Sequence, residues 1–227
     1  MTTQTQQLVR VWDLPTRIFH WVLALTVVGS VVSAKIGGNA MVWHIRFGAV
    51  VLALVGFRIL WGLVGGRWSR FGSFIYAPAT VLRYLRGQTR SGEHLDVGHN
   101  PLGSFSVFAL LGFLALQVTT GLVADDEIAT VGPLNRFVSS QLAGQATSWH
   151  KDFGQWVLVT LVVLHIAAIV FYLVSKRVNL VRPMVVGDKA LPADTPASAD
   201  GLAQRLLALV LVLICGAGAA WVLSLGG

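Results

Sequence analysis

Residues Trp149 to Leu173, WHKDFGQWVLVTLVVLHIAAIVFYL, form an apolar run long enough to cross a bilayer as a helix, and the run carries two histidines, His150 and His165. No other feature constrains the chain as much. At about 1.5 Å and about 100° per residue, the spacing between the two imidazoles places them roughly 22 Å apart along a helix and within about 60° of one face. Ionisable side chains at membrane depth are costly, so they turn toward a bundle interior or a cofactor rather than lipid. What these histidines face therefore decides what the protein is for.

The 227 residues are 55% hydrophobic and 12% charged, with a mean hydropathy of +0.69, which excludes a soluble domain of this size and predicts an integral membrane protein. The net charge is +7 and the pI near 10.3. The basic residues flank apolar runs, as loop topology requires, and no nucleic-acid-binding pattern accompanies them, so nucleic acid is not an expected partner. The single cysteine, Cys215, lies inside an apolar run, which leaves disulfides, thiolate zinc sites and covalent haem attachment without support. Any metal centre must then use histidine.

Five apolar spans are read along the chain, at about Arg17 to Ala34, Met41 to Gly65, Leu102 to Ala124, the opening stretch, and Leu202 to Leu225. The first could pass for a signal peptide ending at Val32-Ser33-Ala34, but a long polar lead and the presence of His20 and Trp21 argue against cleavage. The expected architecture is all-α: a four-helix transmembrane bundle over residues 1–183 followed by a fifth, C-terminal transmembrane helix over 202–227. Residues 184–201, rich in Gly, Asp, Ala, Pro, Ser and Thr, read as a flexible linker between them. Residues 77–87 read as a short helix with Pro78 in its first turn, lying on the inner membrane surface.

With the N-terminus inside, the inner segments hold Arg10, Arg17, Arg67, Arg70, Arg83, Arg86, Arg90, Lys176, Arg177, Arg182, Lys189 and Arg205, the greater part of the Lys and Arg complement. Lys35, Arg136, Lys151 and the acidic Asp125-Asp126-Glu127 fall outside. The positive-inside rule thus predicts a multi-pass protein of the bacterial inner membrane with a cytoplasmic N-terminus.

That topology sorts the histidines by depth. His44 and His150 fall at the outer level, and His20 and His165 at the inner level. Neutral imidazoles paired at one level on facing helices are the arrangement that holds a b-type haem by both axial positions, so two haem b groups are expected, His44/His150 outside and His20/His165 inside. The motif W-H-x-x-F-G occurs at Trp43 to Gly48 and again at Trp149 to Gly154. In each copy the glycine follows the histidine by one helical turn and lies under it, where a side chain would strike a flat macrocycle; Gly48 and Gly154 are the candidates, with close helix packing as the alternative. Arg46 and Lys151, beside the outer ligands, and Arg17, one turn from His20, are candidate partners for haem propionates. Arg58 returns to the face of His44 near the depth of the inner haem, to meet a propionate or a quinone headgroup, or else to snorkel to the inner surface. His94 and His99 lie in a loop and are read as non-ligands.

The residues Val11-Trp12-Asp13-Leu14-Pro15-Thr16-Arg17-Ile18-Phe19-His20-Trp21, Trp43 to Gly48, Phe57-Arg58-Ile59-Leu60-Trp61-Gly62, Gly98-His99-Asn100-Pro101, and His150 through His165 resemble the di-haem cytochrome b subunits of membrane nickel-iron hydrogenases and the related bacterial cytochrome b-561 family. The likeness covers roughly residues 8 to 187. It implies one haem ligand from span one, one from span two and two from span four, which agrees with the pairing above. An electron conduit is then expected, a subunit of an oxidoreductase passing electrons between a periplasmic cytochrome c or oxidoreductase and membrane quinone, embedded in lipid. The alternatives are a stand-alone superoxide:quinone oxidoreductase of the same fold, and a histidine-lined metal transporter. The last would need a polar pore, for which the spans offer little beyond Gln117, Thr119 and Thr120.

Overall fold

The computed structural model describes residues 6–90, 92–127 and 130–226. In chain order these form β1 (Gln6–Arg10), α1 (Leu14–Ile36), α2 (Met41–Val64), α3 (Pro78–Leu85), α4 (Pro101–Val123), α5 (Ser140–Ser148), α6 (Gln155–Ser175), α7 (Val181–Val186), β2 (Asp188–Pro192) and α8 (Leu202–Ser224). Between α5 and α6, Trp149–Gly154 is a π-helical turn, so the fourth span runs unbroken from Ser140 to Ser175 and starts earlier than the apolar run suggested. Among the described residues five helices are long and apolar enough to cross a bilayer. Large apolar side chains on all of them point outward, among them Leu25 at 73% exposure and Leu213 at 63%. Acyl chains accept that surface where water would not. The protein is an all-α, multi-pass membrane protein, with one small two-stranded sheet among the described residues.

The helix starts follow local chemistry. Asp13 caps α1 by accepting the Thr16 N–H at 2.8 Å, and Asn100 caps α4 by accepting the Gly103 N–H at 2.7 Å. Pro15, Pro78 and Pro101 sit in first turns, where the missing N–H costs nothing. The α6 helix ends on Arg177 at φ +57°, with the N–H groups of Lys176 and Val178 both donating to the Tyr172 carbonyl.

The chain forms two compact units. The first draws on the described residues of 1–18, 59–108 and 165–209. Its apolar centre is Val11, Trp12, Trp68 and Val97, against which Met184 and Leu191 pack. Asp13, wholly buried, accepts from the Trp61 indole N–H at 3.1 Å and the Ser69 hydroxyl at 2.6 Å as well as from Thr16. A buried carboxylate is tolerable only when its lone pairs are satisfied, and here they are.

In this unit the linker expected over 184–201 is corrected. Its β2 strand pairs antiparallel with β1 in the register Gln6↔Pro192 to Arg10↔Asp188. Ser198 is buried, donates from its N–H to the Arg10 carbonyl at 2.7 Å and from its hydroxyl to the Val11 carbonyl at 2.8 Å, and accepts the Trp68 N–H at 3.2 Å. Asp200 bridges Arg10 and Arg205, each at 3.2 Å. The polar composition suggested disorder, but these residues spend their polar groups on the backbone of β1 and on Trp68 rather than on water. At Gly187, φ +93°, a Cβ would lie 2.7 Å from the Arg10 guanidinium and 2.8 Å from the Trp12 carbonyl, so only glycine turns the chain there.

The second unit comprises the described residues of 19–58, 109–164 and 210–227. Val51, Val55, Leu114 and Leu158 form its centre, with Leu23, Val27, Leu110 and Leu111 packed around them. Small residues set the close approaches. A Cβ on Gly29 would lie 2.8 Å from the Phe47 ring, and one on Gly56 would touch the Cys215 sulfur at 3.4 Å. The fifth span comes close to α2 at this point of the unit.

Candidate haem site

His44 lies in the first turn of α2 and His150 in the π-helical turn. Their ring centroids are 5.8 Å apart and their planes 81° to one another. The His44 Nδ1 lies 2.9 Å from the Ser30 carbonyl, and the His150 Nδ1 lies 2.8 Å from the Gln117 carbonyl. A carbonyl can only accept, so both Nδ1 atoms carry a proton, and in the neutral imidazole each Nε2 then keeps its lone pair. Two metal–imidazole bonds of about 2 Å set the ligating nitrogens about 4 Å apart and the ring centroids about 6 Å apart. The ring centroids stand at about that spacing, and each Nδ1 has a carbonyl acceptor of the kind that orients a ligating imidazole.

The glycines divide. Nothing lies within 4 Å of where a Gly48 Cβ would point, which leaves that face of α2 open beside His44. Gly154 is different: its Cβ would lie 2.2 Å from the Gln117 amide oxygen and 2.9 Å from the Trp149 indole nitrogen. The π-turn breaks the one-turn relation between His150 and Gly154 on which the repeat rested, because it inserts an extra residue per turn. The glycine under the His150 ring is Gly121 of α4, whose Cβ would lie 2.7 Å from Cε1. Ser30 and Gly121 were not expected at the site, and Gln117 was expected only as a polar residue of a pore. A glutamine and a glycine one turn apart in a largely apolar span are the available signal.

His20 lies on α1, half-buried, with its ring edge-on to Trp21 at 5.0 Å. His165 lies on α6, its Nδ1 3.5 Å from the Ser106 hydroxyl of α4. Of the expected propionate partners, Arg58 is almost wholly buried at 3% exposure. Arg17 donates from its Nη1 to the Val185 carbonyl at 2.7 Å, at the end of α7. Arg46 is exposed and stacks on the Trp43 ring at 4.9 Å, and Lys151 is exposed. His99 lies between the rings of Trp12 and Phe74, at 4.7 and 4.6 Å, and His94 lies edge-on to Trp68.

The family described as prokaryotic cytochrome b561 matches residues 11–187. The probable Ni/Fe-hydrogenase B-type cytochrome subunit of Bradyrhizobium diazoefficiens is 27% identical over 80% of this chain and 85% of its own length. The Azotobacter vinelandii protein of the same description is 27% identical over 84% and 92%. The probable Ni/Fe-hydrogenase 1 B-type cytochrome subunit of Escherichia coli is 22% identical over 69% and 80%. No solved structure matches the chain. With most of its length matched and its spans of the required kind, the chain belongs to the prokaryotic cytochrome b561 family and is a membrane b-type cytochrome, a haem protein of electron transfer.

Proposed function

We propose that the protein holds two haem b groups, one between His44 and His150 and one between His20 and His165, and passes electrons between a redox partner on the periplasmic side and quinone in the bilayer. The N-terminus is then cytoplasmic, as the distribution of Lys and Arg requires. The observation that carries the reading is the 5.8 Å separation of His44 and His150, each with Nδ1 committed to a carbonyl. Haem b supplies a one-electron carrier, and two imidazole ligands leave it no open position for a substrate. The chain's own residues do the rest. Carbonyls of Ser30 and Gln117 orient the ligands, Gly48 and Gly121 leave room, and buried Arg58 offers a guanidinium to a propionate or a quinone oxygen.

The relatives are named as hydrogenase subunits, and a periplasmic oxidoreductase subunit or cytochrome c is the partner proposed here. The exposed Arg46, Lys151 and Arg136 would steer an acidic partner to the His44/His150 side. The same cations favour a second reading, in which superoxide is the donor. Stopped-flow mixing of the oxidised protein with a reduced cytochrome c or a superoxide source, followed by transfer to a quinone analogue, tests both. Fast, salt-sensitive reduction by the protein donor supports the first reading; rapid superoxide consumption with quinone reduction supports the second. Failure to exchange electrons with any quinone analogue overturns both.

A further inference from the structure

A π-helical turn takes carbonyls out of the regular α ladder, and inside a membrane each of them needs another donor. In Trp149–Gly154 the carbonyl of His150 is met by the side-chain amide of Gln117, whose Nε2 donates to it at 2.7 Å. The same residue's backbone carbonyl accepts the His150 Nδ1–H at 2.8 Å. One residue of α4 therefore holds both the main chain and the ring of His150. Two glycines make this fit. Gly121, one turn after Gln117, leaves the imidazole its place, and Gly154 leaves the Gln117 amide its own, since a Cβ there would lie 2.2 Å from Oε1.

We propose that Gln117 is a positioning residue for the haem ligand His150, its side-chain amide a clasp that keeps the wide turn open and so holds the plane of the imidazole, whose tautomer the same residue's backbone carbonyl fixes. This rests on His150 being a haem ligand, as proposed above. The lesser alternative is an interhelical hydrogen bond that contributes only to packing. The two differ in what they move. A packing bond changes stability alone, whereas a clasp on a ligand changes the electronic surroundings of one haem and leaves the other as it was. Outer partners of metal-bound histidines commonly change metal retention by about 10- to 100-fold when removed.

The test compares wild type with Gln117→Met, Gly154→Ala and His150→Ala as purified holoproteins in detergent. Electron paramagnetic resonance reads the two low-spin haems separately, and transfer to apomyoglobin reads how fast each is lost. Gln117→Met removes the donor at nearly constant volume, and Gly154→Ala pushes the amide aside while leaving it in the sequence. Both should shift the same single resonance, the one that His150→Ala abolishes, and speed loss of that haem by about tenfold or more. Wild-type resonances and loss rates in both variants, with one resonance missing in His150→Ala, would overturn the clasp and leave the ligand assignment standing. Both resonances persisting in His150→Ala would overturn the ligand assignment and the clasp with it. Should Gln117→Met fail to accumulate, Gly154→Ala alone decides by the same two readouts.

Discussion

The imidazole of His150 rests on the bare backbone of Gly121, so closely that a Cβ would lie 2.7 Å from its Cε1 atom. The ring alone separates the two backbones there. An added methyl group must displace the ring, and a displaced ring loses its Nδ1 bond to the Gln117 carbonyl.

Gly121→Ala should therefore cost about 1–3 kcal/mol of overpacking and deplete one haem selectively. Haem content measured by pyridine haemochrome should fall by about half relative to wild type, while the remaining haem keeps its low-spin spectrum. Wild-type haem content would show that the ring can move aside and still bind.

The pairing of the four ligands has its own test. His44→Ala and His150→Ala should each abolish the same low-spin signal, and His20→Ala and His165→Ala the other. Because the His44 and His150 planes stand 81° apart, their signal should be the strongly anisotropic type given by near-perpendicular axial imidazoles. If His20→Ala and His150→Ala removed one signal together, the proposed pairs would be wrong.

Asp13 joins the start of α1 to the indole of Trp61 and the hydroxyl of Ser69 in a site with no access to water. Asp13→Ala removes a helix cap, strands the buried Ser69 hydroxyl and leaves the Trp61 indole N–H only the Thr16 hydroxyl at 3.2 Å, a loss of about 2–4 kcal/mol. Thermal denaturation followed by loss of the haem Soret band should show an earlier transition, with wild-type spectra at low temperature. A change below about 0.5 kcal/mol would mean that water replaces the carboxylate.

Asp200 gives an acid-sensitive latch. Burial pushes its carboxyl up, but hydrogen bonds from Arg205 and the Leu14 N–H, with the charges of Arg205 and Arg10, outweigh burial and leave it below the usual carboxylate value. A depressed folded-state value stabilises the fold above the unfolded value of about 3.9 and loses that contribution as pH falls toward and through the folded value. Stability of the wild type measured against pH should therefore fall more steeply below about pH 4 than that of Asp200→Asn. Parallel acid limbs would show that the latch carries no net charge linkage.

Truncation after Gly187 removes β2, Ser198, Asp200 and α8 together. Trp12 and Trp68, now covered by this segment, should become more exposed, with red-shifted fluorescence and a lower transition temperature. Ligands His20, His44, His150 and His165 all precede the cut, so both haem spectra should survive in protein kept cold. Loss of either would place α8 among the structures that hold the cofactor.

Much of this protein is determined by sequence in one dimension. Run length, apolar composition and the placement of arginines depend only on neighbours along the chain, so the five spans, the short α3 helix and the two histidines within the fourth span are legible directly. The closeness of His44 and His150 was legible too, since a buried imidazole in a membrane needs a partner. Tertiary structure alone decided what holds them. The acceptors for both rings are backbone carbonyls, of Ser30 and Gln117, and a carbonyl is the same in every residue, so no sequence pattern marks it. In the π-turn Gly154 faces the Gln117 amide, and the glycine against the His150 ring is Gly121 on another helix, a placement visible only when both helices are in place. The polar stretch after Gly187 carries too little apolar surface to predict order from composition, and it is ordered because β1, far away in sequence, offers it a strand to pair with.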